Sequence, residues 1–251
     1  EDTDGDGLPD GTEVTVYNTK PYVSDTDDDS YSDLTELENG TDPLSSLDPF
    51  KLRSVEFDGQ NTSLLRVESN PRHKLDQFTI ELWFKRQTMT QTSDQVLLSK
   101  PADENGDANV NYEIGITANL YPYARFTANS GGTEVEVVST TKVQDITDWH
   151  HIAMAYDREG GQLVFYVDGI QKARRFTSLY PDQPSEDLLI GSDGKDGFDG
   201  YIDEVRIWNV ARTSAQLASW MRNELTANEQ GLVSYFRMDD DEWRGSDKSP
   251  E

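Results

Sequence analysis

The segment FTIELWFK occupies residues 78–85 and alternates between two sets of side chains. Phe78, Ile80, Leu82 and Phe84 fall on one face of an extended chain, because successive side chains of a strand point in opposite directions. An alternation of this kind over eight residues is typical of a β-strand with one face in a hydrophobic core.

Outward from this segment, short alternating runs recur between clusters of Gly, Asn, Asp and Pro. The runs at 152–156 and 162–167 flank the turn sequence DREGG, and the Asp-Gly pair at 168–169 leads into a third run, so we expect two successive hairpins. One short helix is predicted at 214–222, with Thr213 or Ser214 as its N-cap. Residues 51–251 therefore predict a single all-β sandwich.

The charge is concentrated at one end of the chain. The 251 residues include 48 Asp and Glu against 22 Lys and Arg, for a net charge of −26. Residues 1–50 hold 15 of the acids and only Lys20 as a base, and 1 − 15 gives −14. The net charge of −26 argues against a nucleic-acid partner, since phosphate binding needs a basic surface.

Two absences narrow the functional classes further. The chain has no cysteine, which excludes disulfides, cysteine-ligated zinc and a thiol nucleophile. It also has no apolar run near the roughly 20 residues of a membrane span, so membrane insertion is not expected.

Oxygen-bearing side chains recur at fixed spacing in residues 1–50. The first set places carboxylates at positions 1, 3, 5, 9 and 12 of a calcium loop, with a main-chain carbonyl at position 7: Asp2, Asp4, Asp6, Asp10, Glu13 and the carbonyl of Leu8. The second set begins 23 residues later: Asp25, Asp27, Asp29, Asp33, Glu36 and the carbonyl of Tyr31. We expect two or more Ca²⁺ ions in this segment; the alternative is a solvated acidic linker.

The motifs DTDGDG at 2–7, SDTD at 24–27 and TDPL at 41–44 make residues 1–50 resemble the thrombospondin type 3 calcium repeats of bacterial surface and secreted proteins. The resemblance implies an irregular segment that calcium orders. The β-branched run at 14–16 and Pro21 argue against a helix leaving the first loop, as an EF-hand would require.

Five stretches of the remaining chain, at 78–84, 149–157, 163–169, 200–209 and 211–213, resemble the laminin G-like, concanavalin A-like jelly roll that includes the pentraxins. The resemblance covers about residues 52–240 and implies two antiparallel sheets of six or seven strands each. It also implies a structural calcium ion held by Asp58 and Asp203. The alternative is that Asp58 begins a turn and Asp203 only caps a strand hydrogen bond.

A hydrolase of this fold would carry paired carboxylates on one strand face. The candidate strands offer only Glu81 alone and Asp203 next to Glu204, which point to opposite faces. His150 and His151 are more simply interpreted as the entry of a strand than as metal ligands. We therefore predict that the chain is not an enzyme.

Ligand contacts are predicted in loops. The acidic segments 103–109 and 193–200 offer oxygen donors for a rim metal or ligand, the alternative being solvated turns. Aromatic residues in or beside the predicted loops supply flat faces for a sugar ring: Tyr121, Tyr123, Tyr180 and Trp243. The other four tryptophans, Trp83, Trp149, Trp208 and Trp220, lie in patterned elements, where packing is expected.

These features predict a non-catalytic, extracellular, calcium-dependent adhesion module that recognises a glycan or a cell-surface or matrix protein. Residues 1–50 would form its calcium-stiffened stalk, within a longer secreted or surface-anchored bacterial protein. The alternative is an accessory carbohydrate-binding module of a polysaccharide-degrading enzyme.

Overall fold

The computed structural model describes residues 1–27, 31–39, 42–44, 54–101, 110–128, 132–183, 185–226 and 228–238. It divides into two compact units, one of residues 1–51 with 222–224 and one of residues 52–221 with 225–251. Each unit is described separately below. The helices in the described part of the chain are too short and too polar to cross a membrane.

The smaller unit contains two short helical segments. Helix α1 (Asp10–Thr12) continues into one π-helical turn (Glu13–Tyr17), and α2 spans Asp33–Asn39. The first segment ends at Asn18, whose φ of 61° is left-handed and cannot continue a helix. Each calcium-loop sequence thus leads into one or two helical turns, which corrects the expectation that no helix would follow. The β-branched run is accommodated because Val14, Thr15 and Val16 are exposed.

The larger unit is the predicted all-β jelly-roll sandwich. It contains β1 (Val55–Asp58), β2 (Leu65–Val67), β3 (Phe78–Arg86), β4 (Gln95–Pro101), β5 (Val110–Ile116), β6 (Pro122–Ala128), β7 (Thr133–Val138), β8 (His150–Asp157), β9 (Gln162–Val167), β10 (Ile170–Phe176), β11 (Leu188–Ile190), β12 (Asp199–Trp208), α3 (Ser214–Trp220) and β13 (Leu232–Phe236). A single 3-10 turn covers Pro71–His73.

The strands form two antiparallel sheets. The seven-stranded sheet runs β1-β12-β3-β8-β9-β10, with β13 also pairing with β12. The six-stranded sheet runs β2-β11-β4-β5-β6-β7. Both strand numbers agree with the expectation of six or seven strands per sheet.

The hydrophobic core lies between the sheets and uses the alternation seen in the sequence. Phe78, Ile80, Leu82 and Phe84 of β3 are all fully buried in the main cluster, together with alternate residues of the facing sheet. The predicted hairpins are confirmed as β8-β9 and β9-β10. His150 begins β8, so the two histidines do enter a strand.

Helix α3 covers part of the outer face of the seven-stranded sheet. Its Leu217 packs against a small apolar set on that face, Ala153, Ala155, Val164 and Tyr166. Thr213 caps the helix in a reciprocal capping box with Gln216, which fixes where the helix begins. The outer face of this sheet is therefore partly closed, whereas the outer face of the six-stranded sheet carries polar side chains.

Candidate functional site

A row of polar side chains crosses the outer face of the six-stranded sheet. Ser99 of β4 lies opposite Glu113 of β5, which lies opposite Arg125 of β6, which lies opposite Glu136 of β7. Directly opposite residues of antiparallel strands share a face, so the four side chains form one lateral row. The inward neighbours of Glu113 are fully buried core residues, which fixes the row to the outside.

Glu113 is the centre of this row and is fully buried. Its Oε2 accepts a hydrogen bond from the Ser99 hydroxyl at 3.0 Å, and its Oε1 accepts from the Tyr123 hydroxyl at 2.9 Å. The same Oε1 accepts from Arg125 Nε at 2.8 Å, with Arg125 Nη2 at 2.7 Å. Burial raises the pKa of Glu113 even though Arg125 opposes the shift. The carboxylate is thus held by three neighbours and has no direct access to solvent.

Arg125 is the exposed end of the same network. Its side chain is 24% exposed, and its Nη1 contacts Glu134 Oε2 at 3.0 Å. Burial alone would lower the pKa of Arg125, but the carboxylates of Glu113 and Glu134 raise it, so the guanidinium stays charged. We call the solvent-facing set Arg125, Glu134 and Glu136 the β6–β7 face.

Gly115 allows the Tyr123 ring to lie against the sheet beside this face. A Cβ on Gly115 would come within 2.6 Å of both the Tyr123 ring and the main-chain oxygen of Gln95. Tyr123 is only 3% exposed, so it supports Arg125 and Glu113 rather than presenting a surface for stacking. The prediction that Tyr123, in or beside a loop, offers a flat face to a sugar ring is therefore wrong, because this residue of β6 is buried.

The other aromatic residues predicted to contact a sugar ring lie in different environments. Tyr121 lies just before β6, half-buried, with the Lys142 ammonium 5.1 Å from its ring centre. Tyr180 is 54% exposed. Trp243 and the acidic segment 103–109 lie outside the described residues. Packing of the other tryptophans is seen for Trp83 and Trp208, which are buried, whereas Trp220 is partly exposed.

The acidic loop at 193–200 is folded on itself as a turn. Asp193 Oδ1 accepts hydrogen bonds from the main-chain N–H groups of Lys195 and Asp196, both at 2.8 Å. Burial raises the pKa of Asp196, and the charges of Asp193 and Asp94 raise it further. The loop adds negative charge beside the six-stranded sheet.

Asp58 and Asp203 are not brought together. Asp58 pairs with Asp199, and Asp203 lies four residues farther along β12, about 13 Å at the usual rise per residue. Asp58 Oδ1 accepts from Gln60 N–H at 3.0 Å, and Asp203 Oδ1 accepts from the next residue's N–H at 2.7 Å. One ion cannot be ligated by both, so the expected shared calcium site is corrected: each carboxylate makes a local turn or strand contact.

The outer face of the seven-stranded sheet hides a second polar cluster, beneath α3 and its flanking segments. Glu81 accepts from Trp208 Nε1 at 2.7 Å and contacts His151 Nε2 at 3.0 Å. Glu204 accepts from the Tyr235 hydroxyl at 2.6 Å and pairs with Arg206. All of these side chains are buried, so this cluster holds the fold together and is closed to a substrate.

In the smaller unit, the first predicted calcium loop does converge. Carboxylate oxygens of Asp2, Asp4 and Asp6 lie within 4.8 Å of one another. Asp4 Oδ2 and Glu13 Oε2 are buried oxygens with no hydrogen-bond partner. Burial raises the pKa of Glu13, and the charges of Asp4 and Asp6 raise it further. Leu8, whose carbonyl is predicted at position 7, is buried in the same loop.

The two loops repeat one hydrogen-bond pattern. Asp10 accepts from the N–H and hydroxyl of Thr3, both at 2.8 Å, and Asp33 accepts in the same way from Thr26, both at 2.8 Å. The Thr3 hydrogen bond is the main cause that lowers the pKa of Asp10. Carboxylates at position 9 thus brace the start of each loop.

The second loop is described in part. Asp25 and Asp27 are half-buried, Asp33 and Glu36 are buried, and the side chain of Tyr31 is 38% exposed. Asp29 lies outside the described residues. Asp6 Oδ2 accepts from Leu34 N–H at 3.2 Å, so the first loop is tied directly to the helix that follows the second.

The row around Glu113 was not predicted from the sequence. The sequence does contain one indication of it. Glu113 interrupts a run of strand-forming residues at 110–116, and a carboxylate buried in such a strand is unfavourable unless a partner pairs with it. Its partner Arg125 stands in the next strand, facing the same way. Neither residue belongs to a known catalytic or metal-binding spacing, so no motif singles them out.

Comparison with known proteins supports the fold. A family model, Laminin_G_3 of the concanavalin A-like lectin/glucanases superfamily, matches residues 58–218. No curated protein sequence matches the chain.

Solved structures resemble the sandwich at low sequence identity. A Bacteroides ovatus protein to which carbohydrate binding is attributed aligns with TM-score 0.58 and 20% identity, over 76% of this chain and 53% of that one. This chain thus spans about half of that structure.

Two further structures are individual domains. The CBM40 domain of a Ruminococcus gnavus IT-sialidase, bound to α2,3-sialyllactose, aligns with TM-score 0.52 and 14% identity, over 66% of this chain and 95% of that one. Domain 4 of AbnA, an extracellular GH43 arabinanase of Geobacillus stearothermophilus in complex with arabinotriose, aligns with TM-score 0.50 and 19% identity, over 66% and 75%. At these identities the likeness concerns the fold.

Proposed function

Because the chain belongs to the concanavalin A-like lectin/glucanases superfamily, we propose that it is a non-catalytic carbohydrate-binding module that binds sugar on the β6–β7 face. Of the two roles expected from the sequence, the accessory module of a glycan-degrading protein is better supported than surface adhesion. Two of the structural neighbours are domains of a sialidase and an arabinanase. The partner is a glycan.

The observation that carries this proposal is the pre-organised Arg125. Its guanidinium is fixed by Glu113 from below and by Glu134 from the side, and it remains partly exposed next to Glu136. A planar donor flanked by carboxylate acceptors matches the paired hydroxyl groups of a sugar, each of which donates and accepts. Because the side chain is already held, little conformational entropy is lost on binding.

The same geometry supports a non-catalytic role. A glycosidase needs one carboxyl group at the leaving oxygen and a second on the opposite side of the bond. Glu113 has the raised pKa of a general acid but is fully buried behind Tyr123 and Arg125. Glu134, which is exposed, and Glu136, which is half-buried, share one face of β7 as the carboxylates of a hydrolase of this fold would. Arg125 contacts Glu134 and lies directly opposite Glu136, so we assign both carboxylates to binding.

A glycan array followed by titration calorimetry tests the proposal. The full chain is screened first, and the best neutral or sialylated oligosaccharide is then titrated into Glu134→Gln, Glu136→Gln and the control Glu159→Gln. Glu159 lies in the exposed β8–β9 turn of the other sheet. We expect affinity to fall about ten-fold or more in the first two variants and to be unchanged in the control. Equal affinity in all three, or hydrolysis of the oligosaccharide by the chain, would contradict the proposal.

We further propose that residues 1–50 bind two or more Ca²⁺ ions as thrombospondin type 3-like repeats. The support is the convergence of Asp2, Asp4 and Asp6 and the two buried oxygens of Asp4 and Glu13. A buried carboxylate oxygen without a donor is unfavourable unless a cation satisfies it. Hard oxygen ligands of this number are those that Ca²⁺ prefers.

Calcium titration of variants tests this part independently of sugar binding. Asp4→Asn should remove one binding event in calorimetry, and Glu38→Gln, an exposed acid of α2 outside the predicted ligands, should bind as the unaltered chain does. If Asp4→Asn keeps the full stoichiometry and affinity, the assigned site is wrong.

An extracellular location follows from this proposal. Calcium modules outside the cell work at about 10⁻⁴ to 10⁻³ M Ca²⁺, which the cytosol does not supply. The absence of cysteine is compatible with metal ions stabilising the segment in place of disulfides. Detection of the protein in the culture medium or at the surface of intact cells would support this location, and exclusive recovery from the cytosol would contradict it.

A further inference from the structure

Strand β10 carries a concentration of positive charge that the proposed sugar site does not use. Within seven residues it holds Lys172, Arg174 and Arg175 and no acid, in a chain whose net charge is −26. In the described part of the chain none of the three forms an ion pair with a carboxylate. The charges of Lys172 and Arg174 are therefore available to an external partner, whereas Arg175 acts on the carboxylate of Glu136 in β7.

Two exposed aromatic rings accompany these charges. Phe176 ends β10 and is 69% exposed, with the Arg174 guanidinium 4.9 Å from its ring centre. Tyr180 is 54% exposed, with the Arg158 guanidinium 4.6 Å from its ring centre. Each ring thus presents an apolar surface together with a planar cation.

Both pairs lie at the same end of the seven-stranded sheet. Phe176 is opposite Gln162 on β9, which is opposite Asp157 on β8, and Arg158 follows Asp157 directly. Two strand spacings, about 10 Å, separate the backbones of Phe176 and Asp157. We call Lys172, Arg174, Phe176, Arg158 and Tyr180 the β10 surface. Arg175 is not part of it, because it lies opposite the core residue Leu163 on the other face of β10.

We propose that the β10 surface is a second binding site, which takes an acidic polysaccharide whose sugar rings carry carboxylate groups. Guanidinium groups bind carboxylates through two parallel hydrogen bonds, and exposed aromatic rings pack against the C–H face of a sugar. Positive residues on an edge strand also prevent edge-to-edge pairing, but that purpose does not require two exposed rings.

The net charge of the chain does not prevent such binding. At physiological salt, charges more than about 8 Å apart are largely screened, so the local charge of β10 decides the contact. Arg158 contributes less than the β10 residues, because Asp76 lies 2.9 Å from it. Lys172 and Arg174 are therefore the residues to change.

The test is titration of the full chain with oligogalacturonate, a carboxylated sugar chain, and with two reference probes. Neutral oligogalactose lacks the charge, and polyglutamate has the charge without the sugar. We expect oligogalacturonate to bind at least ten-fold more tightly than either reference, and binding to weaken as NaCl is raised from 50 to 300 mM. Equal binding of polyglutamate would overturn the proposal, since charge alone would then explain the contact.

Variants separate this site from the β6–β7 face. Lys172→Gln with Arg174→Gln should lower oligogalacturonate affinity about ten-fold, and Phe176→Ala should lower it without changing the salt dependence. The matched control, Arg66→Gln with Lys74→Gln, removes two exposed charges elsewhere and should have no effect.

The β10 variants should keep the array-selected ligand of the β6–β7 face, so failure of one site leaves the other testable. Unchanged oligogalacturonate affinity in both β10 variants would refute the assignment. Circular dichroism of each variant checks folding, and Arg174→Lys, which keeps the charge, should retain part of the affinity.

Discussion

The buried pair of Glu113 and Arg125 predicts a distinctive pattern of stability changes. Replacing Glu113 with Leu removes the acceptor of four contacts, and it leaves the Tyr123 hydroxyl and the Arg125 guanidinium without their main partner. Breaking one side of a buried ion pair typically costs about 3–5 kcal/mol. Because Arg125 is 24% exposed and keeps Glu134, we expect the low end, about 3 kcal/mol.

The double variant distinguishes pairing from simple packing. When both charges are replaced by apolar groups, the desolvation penalty disappears with the attraction, so Glu113→Leu with Arg125→Met should be more stable than Glu113→Leu alone. Urea unfolding followed by tryptophan fluorescence measures the free energies, and calorimetry should show a Tm about 6–12 °C lower for the single variant. If the single variant loses less than about 1 kcal/mol, or the double variant loses the sum of both single changes, the pair is not the organising contact that we describe.

Three further predictions concern other parts of the molecule. His150 lies between Asp168 and Asp145, whose hydrogen bonds raise the pKa of its imidazole to about 9. The protonated imidazole therefore stabilises the folded state, by about 1–2 kcal/mol after solvent screening. This contribution to the free energy of unfolding is fully present below about pH 6.5 and is lost as the pH rises through about 9. Unfolding curves from pH 6 to 10 should show the loss in the native sequence and not in His150→Gln. Gly115→Ala should destabilise the sandwich by about 1–3 kcal/mol, because the new Cβ meets the Tyr123 ring, and a change below about 0.5 kcal/mol in denaturant unfolding would contradict this close approach. Chelation of calcium should lower the stability of the smaller unit by about 2 kcal/mol relative to 5 mM Ca²⁺ for a site with Kd near 10⁻⁴ M, and calorimetry showing no shift would argue against bound calcium.

The sandwich was predictable because strand alternation is a local property of the sequence. Residues 78–85 alternate cleanly, and the DREGG and Asp-Gly turns mark the ends of β8 to β10 without knowledge of their partners. The capping box of α3 is likewise complete within four residues. In each case the information lies within one element and its turn.

Contacts that depend on strand register could not be predicted from the sequence. Asp58 and Asp203 were placed together by family resemblance, yet the pairing of β1 with β12 puts Asp199 opposite Asp58. A bulge in β12 after Asp203, where Glu204 has a φ of 51°, also alters which side chains face outward. Register follows from the packing of whole sheets, so spacing along one segment could not supply it.

The polar row around Glu113 could not be predicted from the sequence for the same reason. Its members come from four strands, and their sequence separations are set by loops of unrelated length. The calcium loop, in contrast, draws its predicted ligands from twelve consecutive residues, and Asp2, Asp4 and Asp6 do converge. Sites built within one segment are predictable from sequence, and sites built across strands require the fold.

A crystal structure of the chain with the oligosaccharide selected on the array tests the central claim most directly. We predict a sugar residue on the outer face of the six-stranded sheet, with hydroxyl groups within hydrogen-bond distance of the Arg125 guanidinium and of Glu134 or Glu136. A sugar bound elsewhere, with the β6–β7 face in contact with solvent, would contradict the account.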